Sequence, residues 1–168
     1  MRWAGIGAAI IAAAVDVLYL GIVGSQGSNP QYLRVPFVAA FVVLTAICAA
    51  LSSLVSARWR PPLLGFSAAG LLLVGFFAIF SIGLPLLVAG FLALAGLIAE
   101  SRGASRNVAV GMAAGGAVVA VVVLLAGFSL TELAIRCPAN GVEGGSGADF
   151  LTGSYRYSCD HGKLTISH

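Results

Sequence analysis

Of the 168 residues only 9 are Lys or Arg and 6 are Asp or Glu, and one of these, Asp16, interrupts an otherwise apolar run from Ala4 to Val23. A lone carboxyl in such a run is either a proton- or cation-binding group or a buried polar contact. Placing it at membrane depth costs roughly 2.5–3.5 kcal/mol on insertion scales, so it is expected to face protein and not lipid. Gly5, Ala9, Ala12, Asp16 and Tyr19 share one helix face, with Ile10, Ile11, Val17 and Leu18 on the other. The depth of Asp16 in its segment points to residues 42–46 of the next apolar segment, where Thr45 is the one side chain with a hydroxyl. No basic side chain lies at that depth, and desolvation without a cation favours the neutral acid. The expectation is a protonated Asp16 bonded to Thr45 or to a backbone carbonyl. Ion paths use chains of polar groups; Ser52, Ser53 and Ser67 do not extend one from Asp16, so transport or conduction is the alternative and a polar packing contact the leading reading.

The second candidate chemistry is that of thiols. Cys137 and Cys159 are the two cysteines of a polar C-terminal stretch, and Cys48 lies in an apolar one, where it reads as a small buried hydrophobe. A Cys137–Cys159 bridge would close a loop worth about 3 kcal/mol in the chain-entropy model. The competing use is metal binding by Cys137, Cys159 and His161 with His168, but no Cys-x-x-Cys spacing supports it and no metal is expected. Gly111-Met-Ala-Ala-Gly115, followed by Gly116 and Ala120, is a GxxxG pattern that permits close helix approach. In a chain with 22 glycines such a pattern arises easily, and its expected use is packing within the bundle. Nucleotide-binding, nucleophile-elbow and zinc-protease signatures are absent. The chain therefore reads as non-enzymatic, with no cofactor.

The elements that must position these groups follow from hydropathy. With 60% hydrophobic and 9% charged residues, the surface of a water-soluble globule could not be covered, and disorder is excluded by the same apolar content. A crossing helix needs about 20 apolar residues. Five such spans are expected, at about 4–23, 36–55, 63–80, 84–100 and 108–128. The apolar stretch from Leu63 to Ala99 is divided in two at Gly83-Leu84-Pro85, one span plus a re-entrant segment being the alternative. Pro36, Pro62 and Pro85 stand at helix starts, Gly103 fits a C-terminal cap and Asn107 an N-cap. The first segment is expected to be retained as a span, not cleaved as a signal peptide, because it is long for one and contains Asp16.

Orientation follows from basic residues, which gather on the cytoplasmic side. An inward N-terminus puts Arg2, Arg58, Arg60, Arg102 and Arg106 inside and leaves Arg34 in the outer loops. Trp3 and Trp59 then mark the inner interface, and Tyr19 and Tyr32 the outer one. In the outward tail, Ser129–Glu132 has capping-box spacing and Glu132–Arg136 a helical pair spacing, fitting a short interfacial helix or an extension of the last span. Residues 141–148 read as a flexible glycine-rich loop. Residues 154–159 and 163–167 alternate around Asp160-His161-Gly162 and read as a β-hairpin with a three-residue turn.

The sequence thus predicts an all-α integral membrane protein: five transmembrane helices in a small bundle (1–136) and an extracytoplasmic tail (137–168) whose hairpin is stapled by the disulfide. The partners expected are the lipid bilayer and another membrane protein or a second copy of the chain. Nucleic acid is not expected, since the net charge of +3 is spread over both sides of the membrane. Eight arginines against one lysine suggest a GC-rich bacterial genome, hence a bacterial cytoplasmic membrane. The function expected is that of a non-enzymatic accessory or partner-binding subunit. With reductant present, a membrane-impermeant thiol reagent should label Cys137 and Cys159 on intact cells; labelling only after lysis would refute this topology.

Overall fold

The computed structural model describes residues 3–25, 34–80, 82–101, 106–133, 142–149, 153–161 and 163–167. Five helices come first: α1 (Trp3–Ser25), α2 (Arg34–Ser52), α3 (Arg60–Phe77), α4 (Gly83–Glu100) and α5 (Arg106–Leu133). Three strands follow: β1 (Val142–Asp149), β2 (Gly153–Asp160) and β3 (Lys163–Ser167). The long apolar stretch divides where expected. After Phe77 the chain leaves the helix, with the N–H of Ala78 donating to the carbonyl of Val74 at 2.9 Å and that of Gly83 to Ala78 at 2.8 Å. Pro61, Pro62 and Pro85 all fall in first turns, where a missing N–H leaves no ladder bond unmade.

Four helices, α1, α3, α4 and α5, are long and apolar enough to cross a membrane; α2 offers a shorter apolar stretch, Pro36–Ser52. The five-span expectation is thus met in four helices at full length. The shortfall in α2 lies at its end, which was expected at residue 55. The Ser52 hydroxyl donates to the carbonyl of Ala49 at 2.6 Å, and the N–H of Ser53 to that of Ala50 at 3.0 Å. Local bonds of this kind compete with the helical ladder and end it. At the other boundary α5 begins at Arg106, so Asn107 is a helical residue and not the N-cap; Gly103 lies outside the described residues.

Two compact units divide the chain. The first comprises Met1–Ser28 and Val38–Leu124. In it α3 and α4 form an antiparallel hairpin, and α1 lies along α4. Glycine and alanine make the close approaches in this unit: between α3 and α5, a Cβ on Gly65 would strike the backbone of Ala113, and one on Gly116 the carbonyl of Pro62. A Cβ on Gly90 would lie 2.8 Å from Leu72, and one on Gly5 2.7 Å from the Ala49 carbonyl. Lipid tails are as apolar as leucine, so helices in a bilayer gain from contact quality, and small residues supply it. Large apolar side chains point outward instead, among them Ile10, Val17, Leu18, Phe76, Phe77 and Phe91, while Phe80 is wholly exposed. A surface this apolar needs an apolar surrounding.

The second unit comprises Asn29–Phe37 and Leu125–His168. The Phe37 ring sits against Gly127 and meets Phe128 edge-on, centroids 5.6 Å apart. The helix continues through Ser129 to Leu133, with the Thr131 hydroxyl donating to the Phe128 carbonyl at 2.8 Å. The capping-box spacing therefore starts no new helix, and the extension of the last span is what forms. Beyond it the tail departs from expectation twice. The glycine-rich stretch is strand β1, paired along its length with β2 from Val142–Asp160 to Asp149–Gly153, so the sheet is a three-stranded antiparallel meander and not a lone hairpin. The reason lies across the ladder: the Tyr157 ring covers Gly145, where a Cβ would lie 2.7 Å from its hydroxyl oxygen. An aromatic ring shielding a strand glycine replaces the packing that residue lacks. Second, Asp160 pairs with Lys163, so the ladder closes tighter than the three-residue turn expected, and Asp160 belongs to the strand. His161 takes a left-handed φ of 46°, a region in which histidine is tolerated better than most residues and which such turns demand.

Gly116→Leu should destabilise the first unit by about 1–3 kcal/mol or more, because the added side chain meets backbone. Gly111→Leu, with open space around its Cα, should leave stability within about 0.5 kcal/mol. Unfolding in mild detergent compares the two, and equal effects would refute this packing.

Candidate functional site

The face of α1 that carries Asp16 is the buried one. Gly5, Ala8, Ala12, Val15 and Asp16 are all buried, whereas Ile10, Val17 and Leu18 are exposed. Asp16 is 5% exposed and Thr45 of α2 is fully buried. The two do not meet as expected. The Thr45 hydroxyl donates to the Val42 carbonyl at 2.7 Å, and no ion pair or hydrogen bond joins Asp16 to a described residue. Helix register explains why. Gly5 stands opposite Ala49, Ser52 and Ser53, so counting along two antiparallel helices places Asp16 opposite residue 40, and Thr45 opposite Ile11. At 1.5 Å per residue the two side chains are offset by about 7 Å along the axis. A match of Asp16 to residues 42–46 requires α2 to run on to residue 55, but α2 ends at Ser52, which shifts the register.

Among the described residues the remaining buried polar side chains are Ser52, Ser53 and Ser67. Gly70 stands against Thr45, and Leu64 near Gly96, which itself faces Ala4. On that register the hydroxyls climb from the Ser52–Ser53 level to Ser67 and on to Thr45 in steps of about 4–6 Å, with Asp16 about 7 Å farther. These steps exceed a hydrogen bond. Ser67 Oγ is fully buried and has no hydrogen-bond partner among the described residues.

The end of the bundle from which α3 starts carries an ion pair that the sequence did not disclose. Arg60 Nη1 lies 3.3 Å from Glu100 Oε1, and Arg60 Nε donates to the Val55 carbonyl at 3.2 Å. A cation at a helix N-terminus and an anion at a C-terminus are each unfavourable with the helix dipole. Here each charge offsets the other, and the pair closes the base of the α3–α4 hairpin. A cavity of about 10 Å³ lies between the pair, Gly5, Leu64 and the two serines, the lower limit of room for one water. The forty-residue separation in sequence hid this pairing; its only signal was a charge of each sign at the two ends of one apolar stretch.

The GxxxG pattern is placed differently from expectation. Gly111 and Gly115 are exposed with nothing within 4 Å of a Cβ at either, and Gly116 is the glycine turned into the bundle. Close approach to α3 uses Gly65, Ala113 and Gly116, one helix face away. Cys48 is a half-buried free thiol. Cys159 on β2 is buried; Cys137 and His168 lie outside the described residues, so the bridge is not displayed among them. His161 Nδ1 sits 2.6 Å from Asp160 Oδ1 on the exposed turn. Among the described residues no group of three His, Cys, Asp or Glu side chains could hold a metal.

No protein-family description, curated protein or solved structure matches this chain.

Two substitutions test the buried polar groups. Ser67→Ala removes a hydroxyl that has lost water and gained no partner, and should raise stability by about 1 kcal/mol in detergent unfolding; a loss of that size would mean a hidden partner. Asp16→Asn should fold and insert as well as the parent, since no cation is left behind unpaired. Severe destabilisation would reveal an ionised, paired carboxylate.

Proposed function

We propose that the chain is a non-enzymatic accessory subunit of the membrane, working by helix packing and presenting α5 to a helix of another membrane protein. One observation carries this reading: Gly111 and Gly115 face outward over open space while the adjacent Gly116 serves the bundle. Val108, Val118 and Val119 flank the same exposed surface. Glycines between β-branched side chains form a shallow groove with stiff walls, and a second helix seated there loses little side-chain freedom. In this reading all five helices span, α2 included, since 17 residues is the lower bound for a crossing. The arginine-rich end lies in the cytoplasm of a bacterial cell and the three-stranded sheet outside. A Cys137–Cys159 bridge holds that sheet; in its support, Cys159 is not a free thiol, whereas Cys48 is.

Purified in mild detergent, the wild-type chain should carry a second membrane polypeptide, and a Gly111→Leu/Gly115→Leu double variant should run as the bare monomer with its unfolding unchanged. A monomeric wild type, or a variant of unaltered mass, overturns the proposal. The alternative, a small proton- or cation-coupled transporter or channel unit using Asp16, draws on the burial of that carboxyl on the packed face of α1. It requires Asp16→Asn to abolish proton or cation uptake into vesicles holding the purified chain; the accessory reading requires that neither protein show uptake.

A further inference from the structure

Between α4 and α5 runs a cavity of about 350 Å³ whose floor is the small-residue face of α3, Gly65, Ala68 and Ala69. Its volume falls in the range of ordinary ligand pockets, roughly 300–1,000 Å³. Its origin is the packing already described. Glycines draw α4 and α5 separately onto α3, and alanines on the α3 floor and along α5 leave the space between those two helices unfilled. The walls are apolar: Leu94, Leu97 and Ile98 on one side, Val110, Ala114 and Ala117 on the other. Along α3 the lining runs from residue 65 to residue 72, about 10 Å at 1.5 Å per residue. That is most of the depth of one leaflet in a hydrocarbon core about 30 Å thick.

One end of this slot is charged. Arg106 is exposed at the start of α5, one turn before Val110, so 106, 110, 113–114 and 117 form a single stripe along the slot. Ser101, whose hydroxyl donates to the Ile98 carbonyl at 3.0 Å, lines the same end. Glu100, the nearest acid in sequence, is engaged by Arg60. A hydrocarbon-lined slot that runs most of the depth of a leaflet and ends at an exposed guanidinium matches a molecule with an acyl chain and an anionic head.

We propose that this slot holds an acyl chain of one anionic phospholipid, with Arg106 meeting its phosphate. The site differs from the outward glycine face of α5 and stands whether or not that face binds a partner. The test uses the full chain, stripped of lipid in detergent, exposed to phosphatidylglycerol or phosphatidylcholine and weighed by native mass spectrometry. The wild type should retain one lipid per chain and favour phosphatidylglycerol. Arg106→Gln should lower that preference about fivefold, the equivalent of the ~1 kcal/mol that one basic residue contributes beside an anionic surface. Ala114→Trp, which fills the slot from an exposed position, should abolish retention of both lipids while the unfolding temperature stays unchanged; if it does not fold, Ala117→Leu is the milder block. A wild type that keeps no lipid, a blocked variant that keeps as much as the parent, or a dimer mass in place of the lipid adduct would each overturn the assignment.

Discussion

Contact between backbones is what the first unit depends on. In water a bundle of leucine-faced helices is held by the release of solvent from apolar surface, but in a bilayer that gain is already spent when each helix enters the membrane. Association then rests on how closely the helices approach, and closeness is set by the smallest side chains. Gly65 and Gly116 let α3 and α5 meet main chain to main chain, Gly75 and Gly90 do the same for α3 and α4, and Gly5 admits the end of α2. Many of the large side chains that would form the core of a soluble protein are turned outward, while a smaller set, Phe41, Leu64, Phe66, Leu71, Leu86 and Leu124, is buried. The slot between α4 and α5 arises from this arrangement, because residues chosen for a close approach on one side leave a gap on the other.

Length and hydropathy made the helices legible. The break between Phe77 and Gly83, the buried face of α1 and the exposed phenylalanines around Phe76 all follow from periodicity and from where proline and glycine stand. The direction in which each glycine of a small-residue cluster points was not legible. Gly111, Gly115 and Gly116 are near neighbours in sequence, and the choice between a 111–115 face and a 113–116 face is made by what α3 offers opposite, namely Gly65 and the Pro62 carbonyl. Sequence patterns count small residues; only the partner surface says which of them are used.

The same limit governs Asp16. Its burial could be read from the cost of exposing a carboxyl to lipid, but its level relative to Thr45 could not, because that depends on where α2 ends and the serines end it early. The β1 strand was hidden for a different reason. Val-Glu-Gly-Gly-Ser-Gly-Ala-Asp has poor strand propensity by every local measure, and the ring of Tyr157 that covers Gly145 comes from a strand twelve residues onward. A glycine-rich segment reads as flexible until its cover is known. The Arg60–Glu100 pair belongs to the same class: both residues were visible as loop charges, and their meeting is a property of the hairpin.

That hairpin has a temporal side. Arg60 emerges from the ribosome forty residues before Glu100, an interval of about 2–8 s at typical rates of synthesis. Until Glu100 has been made, the Arg60 guanidinium has the Val55 carbonyl to meet but not this carboxylate, and an uncompensated cation resists a slide into hydrocarbon. Once α4 is complete the charge is neutralised, and the base of the hairpin can settle against its neighbours. One residue thus acts first as an anchor that fixes how deep the helix sits, and afterwards as a clasp.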